Sequence, residues 1–548
     1  MKNWGVSPHR LVPPFPGSVL WGWLGPLLVA AFGGIFRFVR LGEPHAVVFD
    51  ETYYAKDAYA LLLFGVERHT LGTAKNPIAD KRLITENTDI WKQCAESADC
   101  ASFVSHPPLG KWMIGAGEWL FGMTPFGWRF AAAVVGTLSI LVLARVARRM
   151  TRSTLLGCLA GLLLALDGLH LVLSRTALLD IFLMFWVLAA FACVVADRDW
   201  ARQRLADRWS PGFSLGSSPG FSPGLSLGSS PGSSPGPEYG PRLGVRPWRL
   251  AAGVCLGAAC AVKWSGIFFL IAFAVLSLVW DLGARRAAGA RRPYRGALAL
   301  DLPQAAAALG LAPALVFVGS WTSWFVNDDG WGRNWEQATA HGPLFFLADS
   351  ARSWLKYQIE VLGYHTGLTS YHPYMSDPWS WPVLFRPVTF HYESGPGACG
   401  AAKCSETVIG VGTPALWFAA ALALLGLVAW YARTRDWRAG AVLLGYAAGW
   451  LPWFYYAVSD QRTMYLFYMI PVVPFMVLAV VLVAGLALGR ADAPAPRRAT
   501  GAAVVGALAL VVLVNFWWLY PVLTAEQLAH ADWWARMLLR SWVEAAPK

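Results

Sequence analysis

The chain has 548 residues, 56% of them hydrophobic and only 14% charged, with a mean hydropathy of +0.44. A water-soluble protein of this length needs far more polar surface, so a soluble globular chain is excluded. The net charge of +12 does not point to nucleic acid, because the arginines fall in short clusters beside apolar runs, where they orient a membrane protein.

Apolar runs of the length that crosses a bilayer recur along the chain, as at Val19 to Phe38, Ala415 to Trp430, Tyr465 to Leu488 and Ala502 to Tyr520. The first lacks a small-residue cleavage site and reads as an anchor rather than a removed signal. Basic clusters at Arg145 to Arg152, Arg198 to Arg249, Arg285 to Arg295, Arg433 to Arg438 and Arg490 to Arg498 mark the cytoplasmic side. Between two such clusters the chain crosses an even number of times. Thr154 to Ala196 is therefore predicted as a hairpin turning near Leu169 to Arg175, and Leu250 to Trp280 as one turning at Lys263 and Trp264.

Counting from a cytoplasmic N-terminus predicts an all-α polytopic protein of the plasma membrane, with about eleven transmembrane helices and an extracytoplasmic C-terminus. Residues 1–196 form an N-terminal membrane part with a first outer loop at 42–125. A cytoplasmic Ser/Pro/Gly-rich linker follows at 197–248, its repeat at Ser210 to Pro237 lacking any apolar core. Central spans at 249–326 lead into a second outer loop at 327–413. C-terminal spans at 414–520 and an outer tail at 521–548 complete the chain, with Asp532 to Val543 predicted as an interfacial amphipathic helix.

Four cysteines lie within spans. The other four, Cys94/Cys100 and Cys399/Cys404, form one close pair in each outer loop. In an oxidising compartment two local disulfides are expected; neither pair has the flanking ligands of a zinc site.

This topology gathers ionisable residues from distant segments at one membrane surface: Asp50, Glu51, His106, Lys111, Arg129, Arg175, Lys263, Asp460 and Arg462. Charges at membrane depth are costly and default to a functional reading. Cations converging with a carboxylate pair suggest a phosphate site beside a general base. Each has a plainer alternative: Lys111 as a snorkelling lysine, Arg175 as a turn cap or partner of Asp180, Lys263 and Arg462 as boundary markers.

Six short motifs follow one another between Val48 and Phe475: Val-Phe-Asp-Glu-Thr-Tyr-Tyr (48–54), His-Pro-Pro-Leu-Gly-Lys (106–111) and Leu-Ser-Arg-Thr-Ala-Leu-Leu-Asp (173–180), then Val-Lys-Trp-Ser-Gly-Ile-Phe (262–268), Tyr-His-Pro-Tyr through Asp-Pro-Trp-Ser-Trp-Pro (371–382) and Arg-Thr-Met-Tyr-Leu-Phe-Tyr (462–468). Taken together, in this order, they resemble the protein O-mannosyltransferases. The resemblance implies a glycosyltransferase C-type fold and transfer of mannose from polyprenyl phosphate mannose to Ser or Thr of secreted or membrane proteins, at the secretion translocon in the family. Fungal and animal members carry a β-trefoil domain in the second outer loop; the present loop is too short for one and matches the bacterial pattern.

On this reading Asp50 is the general base, and Glu51 holds the acceptor or stands second in line. Arg129, Arg175, Lys263, Arg462, Lys111 and His106 are expected around the donor phosphate. Tyr53, Tyr54, Tyr371 and His372 line the sugar or acceptor cleft, while Trp379 to Trp381 line it or fold the loop. A departing phosphate needs cations rather than an acid. No metal-ligand spacing rises above background, and the motif at His106 has only one histidine, so neither metal nor cofactor is expected. The alternatives are a transferase of the same fold with a lipid or glycan acceptor, and a flippase or transporter. Transporters place their sites near the midplane on broken helices with internal repeats, which this sequence does not show.

Overall fold

The computed structural model describes residues 18–73, 76–94, 96–209, 238–335, 347–490 and 492–543. The Ser/Pro/Gly repeat lies outside the described residues.

Helix starts follow local chemistry. Ser18 accepts from the Leu20 N–H at 3.2 Å to open α1 (Val19–Phe38). The first long connection holds α2 (Glu51–Phe64) and α3 (Leu109–Phe121). Thr124 caps Gly127 at 3.1 Å, with Pro125 in the first turn, to start α4 (Pro125–Thr151). Ser153 caps the short α5 (Thr154–Ala165), and α6 (Leu179–Trp209) returns. The chain next reverses between α7 (Pro247–Val262) and α8 (Gly266–Ala287), at Lys263 to Ser265.

Next comes α9 (Pro293–Ser320), whose π turns at Ala297–Asp301 and Ala307–Leu311 lie just ahead of Pro303 and Pro313. Each proline lacks the N–H that would continue the α ladder, and the wider turn absorbs the break. The second long connection carries α10 (Asp349–Gly367) and an antiparallel sheet in the order β1 (Val388–Gly395), β2 (Cys404–Gly410), β3 (Leu528–Ala529). This sheet is an addition to the all-α expectation. The chain ends with α11 (Pro414–Thr434), α12 (Trp437–Val458), α13 (Leu466–Leu488) and α14 (Ala495–Leu523).

Among the described residues nine helices, α1, α4, α6, α8, α9 and α11 to α14, are long and apolar enough to cross a membrane; α5 and α7 are shorter and apolar. The apolar windows of α13 and α6 are 89% and 72% buried, against 17% for α14. So α13 and α6 form the centre, and α14 lies at the periphery with its apolar side chains outward.

At one end of the bundle, arginines read from the sequence as orientation signals are bonded to buried aspartates. Arg246 pairs with Asp197 at 2.6 Å and Asp281 at 2.6 Å, Arg249 bonds the same two carboxylates, and Arg285 pairs with Asp301 at 2.6 Å. These pairs tie α6, α7, α8 and α9 together. The linker expected from 197 begins later, because α6 continues to Trp209.

At the other end the two long connections pack on each other. Asn327 donates to the Phe64 carbonyl at 2.9 Å, and the Tyr357 hydroxyl meets the Val104 backbone at 3.1 Å. Buried Val104, Trp321, Trp324, Tyr357 and Val361 fill the junction. Cys94 is bonded to Cys100 and Cys399 to Cys404, the latter closing the β1–β2 turn. The tail corrects the sequence reading: in place of one amphipathic helix over Asp532 to Val543 there is a short helix, His530–Trp534, and a 3₁₀ turn, Arg540–Trp542. Trp533 donates to Thr407 at 2.6 Å and Trp542 to the Leu384 carbonyl at 2.8 Å, so the tail follows partners on the loop rather than a single helical face.

Candidate active site

Asp50 sits at the start of α2. Its side chain has no hydrogen-bond partner among the described residues, and it feels the charges of Lys263 and Asp180. Burial, opposed by Lys263 and reinforced by Asp180, raises its carboxyl to about 7. A carboxyl poised there can take a proton near neutral pH.

Glu51 does different work. It is fully buried; Oε1 accepts from Arg129 Nε at 2.8 Å and from the Ala177 N–H at 3.0 Å, and Oε2 from Arg129 Nη2 at 2.9 Å and the Val48 N–H at 3.0 Å. Arg129 also donates to the carbonyls of Pro44 at 2.9 Å and Ala46 at 2.8 Å. Neither residue has capacity left for a substrate. This corrects the sequence reading of Glu51 as a second active carboxylate and of Arg129 as a phosphate ligand: they anchor the turn that carries Asp50.

Arg175 is corrected in the same way. Its guanidinium donates to the carbonyls of Phe36 at 2.9 Å, Val39 at 2.7 Å and Arg40 at 2.8 Å, closing the C-terminal end of α1. The partner of Asp180 is Lys263, at 3.0 and 2.8 Å, not Arg175. Lys111 is buried against Glu67, with Asp57 at 4.0 Å, and is spent on the loop.

The residues that do converge line one cavity: His106, Asp180, Lys263, His365 and Arg462, with Leu183, Phe268, Phe269, Leu362, Trp453 and Pro471 as an apolar wall. Burial and the charges of Lys263, His365, Lys111 and Arg462 hold His106 well below its ordinary value, so it stands in the cavity as a neutral ring. His365 Nε2 bonds the Ser105 carbonyl at 2.8 Å and its Nδ1 faces Arg462 Nη2 at 3.2 Å. That pattern places the proton on Nε2. Burial and Arg462 lower this imidazole to about 4.

Arg462 is the cation left over. It has no carboxylate partner among the described residues, its Nε is buried without a hydrogen-bond partner, and its guanidinium lies 5.8 Å from the Trp453 ring and 5.9 Å from that of Tyr468.

Of the aromatic candidates, Tyr54 is buried with its ring 6.1 Å from His106, whereas Tyr53 is 57% and Tyr371 47% exposed. His372 packs against Phe49 and Tyr465. Sequence reasoning missed His365, Trp453 and Tyr468, which sit outside or at the edges of the quoted motifs. Among the described residues no group of three or more His, Cys, Asp or Glu side chains is arranged to hold a metal ion.

The fold is of the glycosyltransferase C type: the chain overlays a structure of the Saccharomyces cerevisiae protein O-mannosyltransferase Pmt1–Pmt2 complex with a TM-score of 0.68, covering 98% of this chain and 94% of that one at 14% identity. Family models for dolichyl-phosphate-mannose-protein mannosyltransferase and for the C-terminal four-span region of protein O-mannosyltransferase match residues 98–217 and 350–542. Polyprenol-phosphate-mannose–protein mannosyltransferases of Mycolicibacterium smegmatis and Mycobacterium tuberculosis are 38% and 36% identical over 98% of this chain and 96% and 95% of their own lengths. The chain belongs to the protein O-mannosyltransferase family.

Proposed function

We infer that the chain is a membrane glycosyltransferase that moves mannose from polyprenyl phosphate mannose to Ser or Thr hydroxyls of proteins, with Asp50 as the base and Arg462 and Lys263 at the donor phosphate. One observation carries the assignment of roles: among the described residues, a carboxyl without a hydrogen-bond partner, poised near neutral pH, stands beside a cavity whose guanidinium has no carboxylate partner. An alcohol is a poor nucleophile until a base takes its proton. The phosphate leaves as an anion, and side-chain cations meet its charge. One base and a pair of cations suffice for a single displacement with inversion, whereas retention by double displacement needs a nucleophilic carboxylate as well. Glu51, bonded on both oxygens, is no candidate for that task.

The apolar wall at Phe268, Phe269, Leu362 and Pro471 gives the first isoprene units a path between helices. On this reading α5 and α7 also cross, making eleven spans, and the cavity, the disulfides and the C-terminal tail face outside a plasma membrane with the N-terminus in the cytoplasm. Acceptors emerging from a secretion translocon then meet Asp50 from the outer side. Neither metal nor other cofactor enters this scheme.

The test is transfer of labelled mannose from polyprenyl phosphate mannose to a Ser/Thr-rich peptide by the purified chain. Asp50→Asn is expected to slow transfer by about 10²-fold or more with donor binding kept. Full transfer by that variant removes Asp50 from the role of base. Transfer to a lipid or glycan but not to peptide moves the chain to the neighbouring acceptor class.

A further inference from the structure

Among the described residues Asp50 has no side-chain hydrogen bond to fix where its carboxyl points. Its direction is therefore set by the backbone on either side. On the C-terminal side that is Glu51, locked to Arg129. On the N-terminal side is Phe49, whose φ is +48°. A bulky side chain in this left-handed region crowds its own carbonyl, and such a conformation persists only where surrounding structure over-determines it.

The surroundings here are aromatic. The Phe49 ring lies 5.0 Å from Phe390, 5.8 Å from Phe467, 6.0 Å from Tyr465 and 6.1 Å from His372, three of these edge-on. The cage is itself braced, with Tyr465 stacked on Phe467 at 5.3 Å and Phe390 against Phe467 at 5.7 Å. Its members come from three places: β1, the loop after α10, and the segment that leads into and opens α13. That last segment also carries Arg462.

We propose that Phe49 is the positioning residue for Asp50: its caged ring holds the strained peptide unit that aims the carboxyl at the cavity, and links the aim of the base to the segment bearing Arg462. Folding alone does not call for the strain. A glycine at 49 takes the same φ without crowding, and a turn needed only for connection has no use for a large ring in that conformation. The inference rests on the reading of Asp50 as base.

The experiment measures mannosyl transfer for Phe49→Gly, Phe49→Leu and Phe49→Tyr in the full-length chain, with donor binding, acceptor KM and the pH profile of kcat/KM. Phe49→Gly keeps the backbone option and loses the ring. It is expected to lower kcat by about 10- to 100-fold, with donor binding and acceptor KM within about twofold of the parent, as for a base displaced from its reacting geometry. The acid limb of the profile moves to lower pH as the freed carboxyl gains water. Phe49→Leu falls in between, and Phe49→Tyr restores most of the rate. Parental kcat and acid limb in Phe49→Gly overturn the proposal. So does a loss of donor binding in all three variants, which makes Phe49 a folding residue. Asp50→Asn run alongside separates the two readings. If it transfers at the parental rate, the base assignment fails; if it is inactive while the Phe49 variants are unimpaired, only the present inference fails.

Discussion

Glu51 and Arg129, 78 positions apart, form a two-pronged ion pair in which neither side chain is exposed, at 2.8 and 2.9 Å. Removing one partner strands the other charge in the interior, at a cost of about 3–5 kcal/mol. Glu51→Ala and Arg129→Ala are therefore expected to lower the thermal midpoint in detergent sharply and to lose activity through loss of folded protein. Arg129 also binds the carbonyls of Pro44 and Ala46, so a double apolar replacement recovers only part of the stability. A Glu51→Gln protein with parental thermal midpoint but no transfer contradicts the structural role and returns Glu51 to the chemistry.

With Asp50 as the proposed base, its carboxyl sets the pH dependence. A base works only when ionised, and burial together with Asp180 raises this group to about 7 against the opposing pull of Lys263. Below pH 7 the protonated form accumulates, so kcat/KM is expected to fall about tenfold per unit below that point and to level off above it. Lys263→Ala removes the charge that favours the anion, which moves the acid limb to higher pH. Asp180→Asn removes the charge that disfavours it, and the limb moves down. Profiles of the three proteins check both signs.

Arg175 closes α1 by donating to the Phe36, Val39 and Arg40 carbonyls, and the fork shape of the guanidinium is what reaches them together. Arg175→Lys should destabilise the protein by about 1–3 kcal/mol for the carbonyls left unmet. Affinity of the remaining folded protein for donor is expected to stay unchanged. A thermal midpoint and a donor titration on the same preparation decide it; weakened donor binding at full stability places Arg175 at the phosphate after all.

Much of the frame was legible because its signals are local. Apolar run length marks the helices, the Lys263–Trp264 break marks the reversal between α7 and α8, and the spacing of Cys94/Cys100 and Cys399/Cys404 marks closable turns. The site was legible only as a set of candidates. Arg129, Arg175, Lys263 and Arg462 look alike along the chain, and what separates them is whether a distant carboxylate or helix end has claimed them. Glu51 lies 78 residues before Arg129, and the carbonyls met by Arg175 lie more than 130 residues before it. Arg175 and Asp180 are five apart, but Arg175 precedes the first turn of α6, so helical spacing does not bring them together. His365 escaped notice because its significance lies in Ser105 and Arg462, each about a hundred residues away or more.

Arg462 offers the sharpest test of the donor site. With a neutral imidazole on one nitrogen, a buried Nε without a partner and no carboxylate in ion-pair contact among the described residues, Arg462 is free to meet an arriving anion. A hydrogen bond to a charged group contributes about 1.5–3 kcal/mol, so Arg462→Ala should weaken donor binding by roughly 10- to 100-fold. Its effect on the unliganded fold should be small, because no buried carboxylate loses a partner. Polyprenyl phosphate without sugar is therefore expected to raise the thermal midpoint of the parent protein and not that of Arg462→Ala at the same concentration, by mass action on the folded state. Arg462→Lys keeps a point charge but not the planar fork and should fall between them. Equal stabilisation of parent and Arg462→Ala by polyprenyl phosphate would remove Arg462 from the phosphate and leave that role to Lys263, freed from Asp180.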